Sequence, residues 1–157
     1  MTVTREQIRD NDTTGIREHQ VIDLGIAVQG LLTKACTLVG FNLCNEDTAV
    51  ENDAVDCYLK IWDQATEPDV DVDYPDFVFL LNVGTLVVES CPQWVTNMHA
   101  PTIVDASRDN AFDVDGIKLE AGCWVIATST KANGEAQVEP PGTNPQISGT
   151  ITIREDQ

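Results

Sequence analysis

Hydrophobic residues in this chain recur mostly at a period of two, and no window longer than about ten residues keeps the 3.6 period of a helix. Over 21–28, Ile22, Leu24, Ile26 and Val28 share one face and Asp23, Gly25 and Ala27 the other, which predicts a half-buried strand. Over 35–43, Ala35, Thr37, Val39, Phe41 and Leu43 fall on one face and Cys36, Leu38 and Gly40 on the other. Both faces are mostly apolar or small, as in a central strand. Val55, Cys57, Leu59 and Ile61 alternate with Asp56, Tyr58, Lys60 and Trp62 in the clearest strand of the chain. The runs 77–81 and 85–89, separated by Asn82 and Gly84, predict a hairpin. Residues 116–120 lead through Ala121 and Gly122 into the aromatic, β-branched run 123–128. Finally Ile147, Gly149, Ile151 and Ile153 alternate with Ser148, Thr150, Thr152 and Arg154.

The connections between these runs are polar. Residues 45–53 form a loop by composition, 64–75 are a long connection carrying Pro68 and Pro75, and 131–145 are rich in Gly, Pro and Asn. Residues 91–110 lack a period, apart from a possible strand at 102–105. About seven to nine short strands punctuated by turns point to an all-β fold, an antiparallel β-sandwich or jelly roll. Residues 1–20 are poor in apolar side chains and contain three of the nine cations, Arg5, Arg9 and Arg17. They are expected to be an extended N-terminal arm that frays or lies across a neighbouring subunit. Residues 21–157 are expected to be a single domain. At 157 residues it buries roughly 68–70% of its unfolded surface, enough for a core without metal, cofactor or disulfide.

Charge changes the range of partners. Asp and Glu number 26 against nine Lys and Arg, a formal net charge of −17. Nucleic-acid affinity comes from cations that displace counterions, so neither a nucleic acid nor an anionic membrane is expected as a partner. Such a surface suits solubility, tolerance of high salt, or docking onto a basic surface. The five cysteines, at 36, 44, 57, 91 and 123, form no Cys-x-x-Cys pair and are expected to be reduced thiols. There is no leader pattern and no apolar run of membrane length, so the chain is expected to be synthesised in a host cytoplasm.

Candidate chemistry is sparse. Asp69, Asp71 and Asp73 alternate like the start of a calcium loop, but Tyr74 and Leu80 stand where an EF-hand needs Gly and Glu. A looser calcium site or a solvated acidic loop both remain open. The histidines are His19 and His99, and a Cys91–His99 nucleophile pair has no surrounding signature. Ser90, Ser107, Ser129 and Ser148 lie outside any Gly-x-Ser-x-Gly. Two carboxylates across a cleft could serve a hydrolase, and Trp62, Trp94 and Trp124 could stack on sugars or fill a core. Trp62 lies on the polar register of its strand and is expected against an overlying loop, a neighbouring subunit or a glycan. No catalytic, cofactor-binding or metal residue is assigned.

Three segments carry a resemblance: Gly40-Phe41-Asn42-Leu43-Cys44-Asn45, the run from Tyr58 to Pro68 with Lys60-Ile61-Trp62, and Gly116-Ile117-Lys118-Leu119 with Gly122 to Thr128. With a terminal strand from Gly149 to Ile153 they are similar in layout to β-sandwich proteins of tailed-bacteriophage particles, of the head decoration, cement or fibre-base type. Departures are the strong acidity, the irregular stretch 91–110 and the five cysteines. The resemblance implies a non-enzymatic structural protein of the virion, a capsid decoration or cement protein on the outer head surface. It implies the major capsid protein or other virion subunits as partners, and self-association, commonly as a trimer. A glycan- or receptor-binding module of a fibre is the alternative, and a carboxylate-dependent hydrolase a second.

Overall fold

The computed structural model describes residues 15–25, 27–45, 57–81, 86–96, 100–128 and 147–155. These form eleven strands and one short 3₁₀ helix. The strands are β1 (Ile16–Val21), β2 (Gln29–Leu32), β3 (Cys36–Asn45), β4 (Cys57–Trp62), β5 (Phe77–Leu81), β6 (Leu86–Ser90), β7 (Thr102–Ile103), β8 (Phe112–Asp113), β9 (Gly116–Leu119), β10 (Cys123–Thr128) and β11 (Ile147–Glu155). The helix spans Ala106–Ala111. The strands outnumber the expectation because β2, β7 and β8 are only two to four residues long.

The architecture is an antiparallel β-sandwich. One sheet has the order β1-β11-β3-β9-β8, with β6 also paired to β3; the other has the order β2-β10-β4-β5-β7. Leu38, Phe41, Ile117, Ile151 and Ile153 of the first sheet pack against Leu59, Ile61, Phe77, Phe79 and Val125 of the second in one continuous core. Trp94, in the turn after β6, enters this core beside Phe79 and Phe41, with ring centroids 5.3 and 6.3 Å away. Aromatic pairs of this kind add roughly 0.5–1.5 kcal/mol each beyond the area they bury.

Several expectations need correction. The arm expected over 1–20 is a strand in its last part: Ile16–Gln20 belong to β1, which pairs residue by residue with β11. Its polar side chains suit an edge strand, so composition concealed it. Residues 1–14 lie outside the described residues. Of the strand expected over 21–28, Val21 ends β1, residues 22–25 are instead a corner between the sheets, and Ile26 lies outside the described residues. Asp23 adopts a positive φ of 53°, Ile22 is 75% exposed and Leu24 is fully buried. Leu24 N donates to Ile147 O of β11, and Leu24 O accepts from Ala127 N of β10, so one residue is bonded to both sheets. The strands β5 and β6 form no hairpin. They lie in different sheets, β5 on β4 and β6 on β3.

The period-two assignment of β3 fails at one residue. Ile153 opposes Leu38 and Thr152 opposes Gly40, which leaves Val39 as a bulge. Cys36 and Leu38 therefore face the core before it, and Phe41 and Leu43 after it. The bulge lets the far edge of β3 pair first with β9 and then with β6.

The second sheet is covered on its outer face too. Trp62 and Ile126 are fully buried there, with Val28, Val70 and Trp124 packed against them. The connection after β4 folds back over this face, and Trp62 Nε1 donates to Asp73 O at 3.0 Å. Gly30 leaves room for the Trp124 ring, since a Cβ there would lie 2.7 Å from a ring carbon. Lys60 points to the same face between Val78 and Ile126, is 0% exposed, and its Nζ has no hydrogen-bond partner among the described residues. Burial without compensation lowers its pKa from the ordinary lysine value.

Lys60→Met is therefore expected to raise unfolding stability near neutral pH by about 1–4 kcal/mol, as replacements of buried charge by apolar groups of similar volume often do. A lysine with a depressed folded pKa binds fewer protons folded than unfolded, so the wild type gains stability as pH rises toward 10.5. The advantage of Lys60→Met should shrink as pH rises from neutral toward 10.5 in denaturant titrations. The Cys57 thiol, pushed up to about 12 by burial, is common to both proteins and cancels.

Candidate functional site

The densest arrangement of polar groups gathers where β4 ends. Alternation in β4 stops at Trp62, and the next residue, Asp63, turns its carboxylate under the β9–β10 connection. Oδ1 accepts from Ala121 N at 2.7 Å and Gly122 N at 3.2 Å, and Oδ2 accepts from Glu120 N at 2.8 Å. Arg108 Nη2, from the 3₁₀ helix, donates to the same Oδ2. A carboxylate offers about four lone-pair sites, and four donors converge here. Only 3% of the Asp63 side chain is exposed. Burying a carboxylate costs several kcal/mol unless it is paired and hydrogen-bonded, and this one is both.

Neighbouring groups extend the arrangement. Arg108 Nη2 also donates to Lys118 O at 2.9 Å, and its guanidinium carbon lies 5.9 Å from the Phe77 ring centroid. Gln64 O accepts from Trp124 Nε1 at 3.0 Å. Gly122 is required because a Cβ there would lie 2.4 Å from Gln64 O and 2.8 Å from Leu32 O. The Asp63 amide in turn donates to Asp76 Oδ2 at 2.7 Å. Asp63 thus ties β4, the 3₁₀ helix and the crossing between the sheets together, and its lone pairs are occupied.

Beyond Asp76 the surface opens into a cleft of about 580 Å³ lined by Tyr74, Pro75, Asp76, Val104, Asp105 and Ala106. Burial, ahead of the nearby carboxylates of Asp63 and Asp105, raises the pKa of Asp76. Asp105 caps the 3₁₀ helix by accepting from Ser107 N at 2.9 Å, and that bond holds its pKa low. Here the expectation of two carboxylates across a cleft finds residues, with pKa values displaced in opposite directions. Each carboxylate also holds a backbone amide, which gives both of them structural work.

The other candidates lie apart from this place. Asp69 and Asp73 turn onto their own loop: Asp69 N donates to Asp73 Oδ2 at 2.8 Å and Asp71 N to Asp69 Oδ1 at 3.1 Å. Among the described residues no three His, Cys, Asp or Glu side chains are grouped to hold a metal ion. Cys91 Sγ donates to Val114 O at 2.8 Å, and burial followed by Asp115 and Asp113 raises its pKa. Such a thiol is held protonated, the opposite of an activated nucleophile. His99 and Ser129 lie outside the described residues. Ser148 Oγ accepts from Asp23 N at 3.0 Å, Ser107 belongs to the Asp105 cap, and Ser90 stands exposed at the end of β6. Trp62 is buried beneath its own loop, so it presents no platform for a sugar.

Sequence inspection gave no role to Asp63, Asp76 or Arg108, because their partners lie far away along the chain. The local signal was an Asp at the point where a strongly apolar strand stops.

For Asp76 the pH dependence has a definite sign. A raised folded pKa means that the folded chain takes up a proton before the unfolded chain does, so stability is gained as pH falls toward 3.8 and lost as pH rises through the folded value. Asp76→Asn keeps an oxygen for the Asp63 amide and removes the desolvated charge. It should be more stable than wild type at neutral pH, with the difference disappearing near pH 3.8, as read from thermal unfolding across that range. Comparisons of the chain with family models, with curated proteins and with solved structures found no match.

Proposed function

We propose that this chain is a structural protein of a tailed-bacteriophage virion, a decoration or cement protein that binds the outer head surface and stabilises the shell. The observation that supports this reading best is where the residues of the resemblance lie. Lys60, Ile61 and Trp62 form the end of β4, and Gly116 to Leu119 are β9. Gly122 is part of the Asp63 arrangement, and Cys123 to Thr128 are β10. These residues build the two-sheet frame and its closure, as a rigid particle subunit requires.

Two further features agree with it. A net charge of −17 favours attachment to a basic surface and mutual repulsion between exposed particle faces. Attachment of this type is driven by interface area summed over a symmetric lattice and uses no reacting group. The chain's own partners in this reading are the major capsid protein and further copies of itself, as a trimer.

The test is the composition and strength of purified particles. The chain should occupy defined lattice sites on the head, and particles assembled without it should lose infectivity sooner under heat or shear. Recovery of the chain solely in the free fraction of the lysate, with particle strength unchanged by its deletion, would contradict the proposal.

A further inference from the structure

The cleft beside Asp76 is bordered by a loop that presents apolar side chains to solvent. In the run Asp69-Val70-Asp71-Val72-Asp73-Tyr74, Val70 packs inward on the Trp62 cluster, while Val72 and Tyr74 are 64% and 60% exposed. The loop is held in this shape. Val72 N and Asp73 N donate to Asp69 O, and Asp73 O accepts from the Trp62 indole. Exposed aromatic anchors on rigid segments are the usual energetic centres of interfaces, because little side-chain or loop entropy remains to be lost on binding.

Charge narrows the occupant. Asp76 and Asp105 line the cleft, and Asp69, Asp71 and Asp73 lie along its loop. Arg108, whose charge acts on both Asp76 and Asp105, is committed to Asp63 with only 15% of its side chain exposed. The Asp63 amide takes one acceptor site of Asp76, and the amide and hydroxyl of Ser107 take two of Asp105. A carboxylate offers about four, so both retain acceptors. A flat exposed ring beside carboxylates fits a guanidinium, which stacks on aromatic faces and bonds carboxylates with a planar fork.

We propose that the cleft formed by Tyr74 to Asp76 and Val104 to Ala106 is a docking site for an arginine-bearing segment of a partner protein, with the guanidinium between the Tyr74 ring and the Asp76 and Asp105 carboxylates. The identity of that partner as a virion subunit rests on the function proposed above. The chemistry of the site does not.

The test uses the full chain and a hexa-arginine peptide at physiological salt, followed by amide chemical shifts. Shifts should concentrate at the amides of residues 74, 76 and 104–106. Tyr74→Ser, and Asp105→Ser, which keeps a helix cap, should each weaken binding by about tenfold. Glu18→Gln removes one charge on the other sheet, in β1, and should change affinity by less than about twofold. Shifts spread over the whole acidic surface, or equal losses in Glu18→Gln and Asp105→Ser, would overturn the site by showing unspecific attraction. On particles, Tyr74→Ser and Asp105→Ser should lower occupancy. Occupancy equal to wild type would overturn this site while leaving the virion assignment standing, and absence of the wild type from particles, with peptide binding localised, would do the reverse.

Discussion

The placement of Asp63 is the constraint on which the rest of this sandwich depends. A buried carboxylate cannot be left unsatisfied, so its position fixes the three amides of residues 120–122 and the guanidinium of Arg108 around it. Those amides belong to the connection by which the chain leaves β9 in one sheet and enters β10 in the other. Arg108 in turn ties down the 3₁₀ helix that follows β7, and its guanidinium lies over Phe77 of β5. One side chain therefore sets the separation and registration of elements from both sheets. At the next crossing Leu24 does the same with backbone groups alone, bonded to β11 on one side and β10 on the other.

The same constraint shapes the surface. Because Asp63 N is bonded to Asp76, the connection from β4 to β5 returns across the outer face of its sheet, covers Trp62 and carries its carboxylates outward. This layer leaves Lys60 buried without a hydrogen-bond partner among the described residues, a local cost that the apolar packing around it absorbs. It also holds Val72 and Tyr74 up to solvent beside the cleft. The carboxylates of this region thus divide between structural work inside and charge presented to solvent outside. That division is what a subunit needs if it acts by attachment.

Much of the fold was legible in the sequence. β11 alternates because it presents one face to the core, whereas β4 and β10 are buried on both faces and were legible from their apolar, aromatic and β-branched side chains, and the all-β character followed from these three. Periodicity failed where geometry is set by distant partners. The Val39 bulge shifts the face of β3 by one residue, and nothing in the local sequence marks it. Residues 22 to 25 alternate like a strand, yet Asp23 takes a left-handed conformation so that Leu24 can reach both sheets. β1 was hidden because an edge strand carries polar side chains on both faces. The site was less legible still. Asp63, Arg108 and Gly122 are meaningful only together, and the sequence separates them.

If Asp63 is structural and saturated by its neighbours, the Ala121 and Gly122 amides are sealed as firmly as the strands around them. Native-state hydrogen exchange measures this directly. The account predicts that both amides exchange only through global unfolding, with the protection of β4 and β10. Rapid exchange of Ala121 and Gly122 at the rates of an exposed turn, with the strands still protected, would contradict it.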